Sequence, residues 1–127
     1  MNNKPLIEVD QAVFEKQKYL AELEEDWRDL LEDLGETLDR KPDLQSLLFL
    51  IGVQEFGDVR KFSKEQKQDL MHVGVCHLLT PLGYFEFTHK DMDGWPHYKA
   101  IKPMPELVDN LASQEVLLKE QILEYFD

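Results

Sequence analysis

Hydrophobic positions recur at steps of three and four over much of the chain, which is the spacing of one face of an α-helix. The first such segment predicts a helix from about Asp10 to Leu38. Its apolar face has a coiled-coil-like spacing and consists of Leu20, Leu23, Trp27, Leu30 and Leu34. Little more than two heptads is short for a coiled coil, so we expect this face to pack within the domain.

A second helix is predicted between Pro42, which suits a first helical turn, and Gly57, which suits the residue after the last turn. One of its faces carries Leu44, Leu47, Leu48 and Ile51. Further apolar side chains fall on its other sides, namely Phe49, Leu50 and Val53. A helix that is apolar nearly all round is expected to be the central, most buried one.

The third predicted helix begins at Ser63, which is spaced from Gln66 as in a capping box. Pro81 and Gly83 are expected to end it. Its predicted core face consists of Leu70, Met71, Gly74, Val75 and Leu78.

Alternating apolar and polar residues then predict a β-hairpin, with strands Tyr84–His89 and Trp95–Ile101 and a turn at Asp93-Gly94. Either Lys90 or Met92 can stand opposite Trp95. Both registers assign the same faces because they differ by two residues. The face expected to press on the helices carries Phe85, Phe87, His89, Tyr98 and Ala100. The other carries Tyr84, Glu86, Thr88, His97, Lys99 and Ile101, so His89 and His97 are predicted to point opposite ways.

A last helix is predicted to start at Pro103 and Pro105, with Leu107, Leu111, Leu118 and Ile122 inward. The pattern as a whole predicts a single α+β domain over residues 1–127, mainly helical, with about four helices and one antiparallel hairpin before the C-terminal helix. The order of the second and third helices and the hairpin resembles a winged-helix domain. That resemblance concerns element order alone and implies a possible nucleic-acid contact.

Charge argues against that contact. The formal net charge is −12, distributed as −6 over residues 1–41, −1 over 42–103 and −5 over 104–127. An acidic protein repels phosphate backbones. One basic cluster, around the start of the third helix, comprises Arg60, Lys61, Lys64 and Lys67, and we interpret it as a solvated helix start.

Cysteine content and hydropathy predict a cytoplasmic protein. Cys76 is the single cysteine and cannot form an internal disulfide. The first residues lack the apolar run of a signal peptide, and no apolar run approaches the length of a membrane span.

Histidine placement does not predict a metal site. All four histidines, His72, His77, His89 and His97, fall in one short stretch with Cys76. His72 and His77 are five residues apart, roughly 140° around a helix, and so cannot clamp one ion. With the hairpin pair on opposite faces, neither a metal nor another cofactor is predicted.

One helix face does combine Asp69, His72 and Cys76, the components of a thiol nucleophile with an oriented histidine. Cys76 lies near the predicted helix C-terminus, where the helix dipole disfavours a thiolate. We therefore assign no catalytic residue and treat this group as a candidate binding surface.

The candidate binding residues are Tyr84, Glu86, Trp95, His97 and Lys99 of the hairpin, with Asp69, His72 and Cys76 of the third helix. The leading hypothesis is an acidic, non-enzymatic interaction or regulatory module that binds a protein partner or self-associates. The alternatives are a winged-helix nucleic-acid-binding protein and a small metal- or cysteine-dependent enzyme.

Overall fold

A computed structural model describes residues 10–103 and 111–127, with side chains in the second range from residue 114 onward. The order of elements is α1 (Gln11–Leu38), α2 (Leu44–Phe56), α3 (Lys64–Leu79), β1 (Phe85–Lys90), β2 (Pro96–Ala100) and α4 (Leu111–Tyr125). The four predicted helices and the antiparallel hairpin before the last helix are confirmed. Pro103, at which the last helix was also predicted to start, is not helical. Pro105, Leu107 and the side chain of Leu111 lie outside the described residues.

Capping residues set the helix ends. Asp10 and Asp43 accept hydrogen bonds from backbone N–H groups of the first turns of α1 and α2, and Ser63 forms the predicted capping box with Gln66. Gly57 ends α2 at φ 85°, a left-handed conformation that glycine adopts without a steric penalty. Pro42 precedes the cap of α2 instead of occupying its first turn.

The core lies where α2 and α3 cross. Leu47 and Ile51 of α2 are almost fully buried there. The central position predicted for α2 belongs to α3, because α3 packs against α2, α4 and both strands. Nine buried residues form the main core cluster: Trp27, Leu31, Leu47, Leu48, Ile51, Leu78, Leu79, Leu118 and Ile122. A smaller cluster of Phe56, Phe62 and Leu70, with Trp95 against it, lies towards the hairpin turn.

α3 is buried on more sides than the sequence predicted. Of its predicted core face, Leu70, Gly74 and Leu78 are buried, whereas Met71 and Val75 are partly buried. Three residues outside that face are also buried, namely Val73, Cys76 and Leu79. The reason is that α2 covers one side of α3 while the hairpin and α4 cover others. A single-face prediction could not anticipate this, since it assigns each helix one partner.

α1 packs beside α4 through a mixed contact. Lys119 makes a 2.7 Å ion pair with Glu24, and its ammonium group lies 5.5 Å from the centre of the Trp27 ring. The predicted apolar face of α1 is confirmed in part, because Leu23 and Trp27 are buried, together with Leu31 in place of Leu30. Among the helices that the structure describes, none combines the length and apolar character needed to cross a bilayer.

Candidate functional site

The hairpin contains a β-bulge that changes which side chains share a face. Phe85 to Phe87 pair with Ala100 to Tyr98, as in the first predicted register. Beyond Phe87 the register shifts by one, so that His89 pairs with His97 and Lys90 with Pro96. Thr88 is the extra residue, and its hydroxyl donates a 3.0 Å hydrogen bond to the His97 carbonyl.

The prediction that His89 and His97 point opposite ways is therefore wrong. Their rings stack 4.8 Å apart and within 3° of parallel. A bulge adds one residue to one strand and reverses the alternation of faces beyond it. Both predicted registers assumed a regular ladder, and for that reason neither could place the two imidazoles together.

The hairpin turn is held by Asp91. One carboxylate oxygen accepts hydrogen bonds from the backbone N–H groups of Asp93 at 2.9 Å and Trp95 at 3.0 Å. The other lies 2.9 Å from Nε2 of His97. The hydrogen bond with His97, and then the backbone bond from Trp95, lowers the pKa of Asp91. This carboxylate therefore stays ionised and fixed in place at neutral pH.

Four of the predicted binding residues meet in one concavity between α3 and the hairpin turn, which we call the turn cleft. It encloses about 380 Å³. Its lining consists of Gln66, Asp69, His72, Val73, Asp91, Trp95, Pro96 and His97. The structure thus brings together Asp69, His72, Trp95 and His97, although the first and last of them are 28 positions apart in sequence.

Trp95 forms one wall of the turn cleft and is held by aromatic neighbours. Its ring lies 4.7 Å from that of Phe56 and 6.4 Å from that of Phe62. These contacts fix the indole plane, and the residue remains only partly buried. A fixed aromatic wall beside two carboxylates suits the binding of a ligand group that is both flat and positively charged.

The other predicted binding residues lie elsewhere. Tyr84, expected on the solvent face, is partly buried and packs against the main core, with the ammonium group of Lys102 4.5 Å from its ring centre. Glu86 and Lys99 pair across the strands and are exposed. Phe87, expected to press on the helices, is 46% exposed.

Cys76 is close to His72 but does not have the environment of a nucleophile. Its Sγ lies 3.5 Å from Nε2 of His72, while the residue is only 2% exposed. Burial raises the pKa of the Cys76 thiol to about 11, so the thiol is neutral at pH 7. A buried neutral thiol counts against the hypothesis of a cysteine-dependent enzyme.

A second concavity, the helix-end cleft, lies under the hairpin against the C-terminal ends of α2 and α3. It encloses about 350 Å³. Its lining consists of Glu55, His77, Thr80, Pro81, Phe87, Lys90, Pro96 and Tyr98. Pro96 lines both clefts, so the two concavities adjoin along β2.

Aromatic and polar groups divide the walls of the helix-end cleft. Phe87 and Tyr98 meet edge to face at 5.7 Å. Burial, and then the negative charge of Glu55, raises the pKa of Tyr98 to about 12, so its hydroxyl remains a hydrogen-bond donor. Lys90 reaches across from β1, with its ammonium group 3.5 Å from the Phe56 carbonyl.

Glu55 is the polar centre of this cleft. Its carboxylate lies 3.3 Å from Nδ1 of His77. Burial, followed by the charge of Glu55 and a hydrogen bond to it, raises the pKa of Tyr125. Glu55 is not among the predicted binding residues, although it is the one charged residue of the mainly apolar α2, and that isolation was the available signal.

The arrangement does not form a metal centre. Within residues 10–103 and 111–127, no group of three or more histidine, cysteine, aspartate or glutamate side chains is placed to hold an ion. Comparison of the chain with protein-family models, curated proteins and solved structures finds no match. The resemblance to winged-helix domains therefore stays a prediction about element order, and the function has to be argued from the two clefts.

Proposed function

We propose that this protein is a non-enzymatic binding module that recognises a segment of a partner protein in the helix-end cleft. The single observation that carries the proposal is the open aromatic wall of that cleft. Phe87 belongs to the strand face that turns towards the helices and still leaves 46% of its surface exposed. A large aromatic side chain exposed in a concavity gains free energy when an apolar group of a partner covers it.

The remaining walls of the helix-end cleft support the same proposal. Binding sites combine a mainly apolar lining with a few polar groups that orient the ligand. Here Phe87, Tyr98 and the two prolines supply the apolar part, and Glu55 with His77 supplies the polar part. Because His77 and Tyr125 hold the Glu55 carboxylate, this polar group is oriented before a partner arrives.

Nucleic-acid binding is less well supported by the surface around the start of α3. Arg60 already makes a 2.9 Å ion pair with Asp58 and lies 4.7 Å from the centre of the Phe56 ring. The exposed face of α3 alternates in sign, with Glu65 and Asp69 beside Lys64 and Lys67. A phosphate backbone requires a surface of one sign, which this part of the chain does not present.

Selection from a random peptide library displayed on phage, with the full chain immobilised, tests the proposed function. We expect enriched peptides to share an apolar or aromatic anchor. Synthetic copies should bind the Phe87→Ala variant at least about tenfold more weakly, as for the loss of an aromatic contact at the centre of an interface. The measurement is fluorescence anisotropy of the labelled peptide.

Met92→Ala provides the matched control, because Met92 is fully exposed at the hairpin tip and lines neither cleft. This variant should bind the peptides as the unaltered chain does. Circular dichroism of both variants checks that the fold persists. Equal binding by Phe87→Ala and the unaltered chain, or a library that yields no enriched peptide, would refute the proposed function.

A further inference from the structure

The turn cleft combines features that are absent from the helix-end cleft. Two carboxylates, Asp69 on α3 and Asp91 on the hairpin, face one concavity from different elements. The indole of Trp95 lines the same concavity and is held by its contacts with Phe56 and Phe62. Val73 and Pro96 supply an apolar floor.

We propose that the turn cleft binds the guanidinium group of an arginine side chain carried by the protein partner. This inference rests on the proposed function, since it names the chemistry of the partner, but it is carried by a different cleft. The guanidinium plane would stack on Trp95, and its N–H groups would donate hydrogen bonds to Asp69 and Asp91.

The two carboxylates of the turn cleft differ in the bonds that they already make within the protein. Asp91 is already bonded to the backbone of the turn and to His97, so its position and charge do not depend on a ligand. Asp69 is exposed, and it takes part in none of the ion pairs seen among the described residues. Asp69 is therefore the carboxylate that an incoming cation can pair with directly.

Arginine fits this lining better than lysine for a geometric reason. A guanidinium is planar, stacks on aromatic rings and donates two parallel hydrogen bonds to one carboxylate, whereas an ammonium is a compact, strongly hydrated charge. Stacking on tryptophan is the most favourable form of the cation–π contact. The net charge of −12 would also draw a cationic segment towards the protein.

Nuclear magnetic resonance titration tests the inference with three short acetylated and amidated peptides of sequence Gly-X-Gly, where X is arginine, lysine or citrulline. Citrulline keeps the shape of arginine without its charge. We expect the arginine peptide to shift the indole N–H signal of Trp95 and to leave that of Trp27 unchanged, because Trp27 is buried in the main core.

Two variants with the same change of charge locate the binding. Asp69→Asn should weaken binding of the arginine peptide by at least about threefold, the usual effect of one partly exposed charge pair. Asp29→Asn removes the same charge from the exposed surface of α1, outside the turn cleft, and should leave binding unchanged. The dispersion of the amide signals reports whether each variant is folded.

Three results would overturn the inference: equal weakening by the two variants, equal binding of the citrulline or lysine peptide, or no shift at Trp95. Equal weakening would show that the acidic surface as a whole attracts the peptide. None of these results bears on the proposed function, because Asp69 lines only the turn cleft and binding that depends on Phe87 is measured separately.

Discussion

The crossing of α2 and α3 depends on two glycines that allow the helix backbones to touch, and Gly52→Ala tests this dependence. A Cβ atom added at Gly52 would lie 1.9 Å from the carbonyl oxygen of Leu70 on α3. A Cβ added at Gly74 would lie 2.3 Å from the carbonyl oxygen of Leu48 on α2. The contact is therefore reciprocal, with a glycine of each helix against the backbone of the other.

The expected cost follows from these distances. Ordinary contacts of a Cβ atom begin at 3.4 Å, so from 1.9 Å the helices would have to separate by about 1.5 Å at Gly52. The clashing atom belongs to the backbone and cannot turn aside as a side chain can. Overpacking of a core costs about 1–3 kcal/mol and occasionally more. We expect Gly52→Ala to lower the free energy of unfolding by about 3 kcal/mol, a large part of the roughly 5–15 kcal/mol typical of a domain.

Urea denaturation followed by far-ultraviolet circular dichroism measures this loss. Gly35→Ala in α1 is the matched control, because its Cβ would meet its nearest atoms at 3.5 Å, an ordinary contact. Alanine favours a helix over glycine by up to about 1 kcal/mol, so the control should be unchanged or more stable. The double variant Gly52→Ala/Gly74→Ala should cost less than the sum of its parts, since one separation of the helices relieves both clashes. A Gly52→Ala protein within about 0.5 kcal/mol of the unaltered chain would refute this reasoning.

Two further predictions follow from the pKa shifts. Burial raises the pKa of the Cys76 thiol to about 11, so little thiolate is present at about pH 8. Ellman's reagent should therefore react with Cys76 on the order of a hundredfold more slowly in the folded chain than in urea. Rapid labelling of the folded chain would contradict the buried position of Cys76. Asp43→Ala removes the cap of α2 and should cost about 1 kcal/mol at neutral pH. Hydrogen bonds from Ser46 lower the pKa of Asp43 in the folded state, so its contribution is complete above the ordinary pKa and is lost as the pH falls through the folded value. Urea titrations should therefore show the gap between Asp43→Ala and the unaltered chain closing below about pH 4, whereas a constant gap would exclude this role for the carboxylate.

Helix caps and hydrophobic periodicity, which act over a few residues, were sufficient to predict the helices of this protein. Helix capping depends on a side chain and a backbone group within three residues of each other, so Ser63 and Gln66 could be read directly. The same holds for Gly57, whose left-handed conformation ends α2. The apolar face of α2 correctly predicted the burial of Leu47, Leu48 and Ile51.

The candidate site was only partly predictable. Asp69 and His72 are predicted from their shared helix face, and Trp95 and His97 are predicted from the hairpin; all four line the turn cleft. The role of Asp91 within that cleft was not anticipated. The helix-end cleft was missed, because Glu55 is far from the hairpin in sequence and meets it only through packing.

The sequence by itself determined the four helices, the hairpin and their order, because caps, turns and hydrophobic periodicity act over a few residues. Only the tertiary structure decided which side chains of the hairpin share a face and which are exposed. The bulge at Thr88 reverses the faces beyond it and brings His89 beside His97, whereas the alternation of residues in the sequence predicts a regular ladder. The tertiary structure likewise buried Cys76 and left Phe87 open, since the exposure of a side chain depends on every element packed around it and not on its own periodicity.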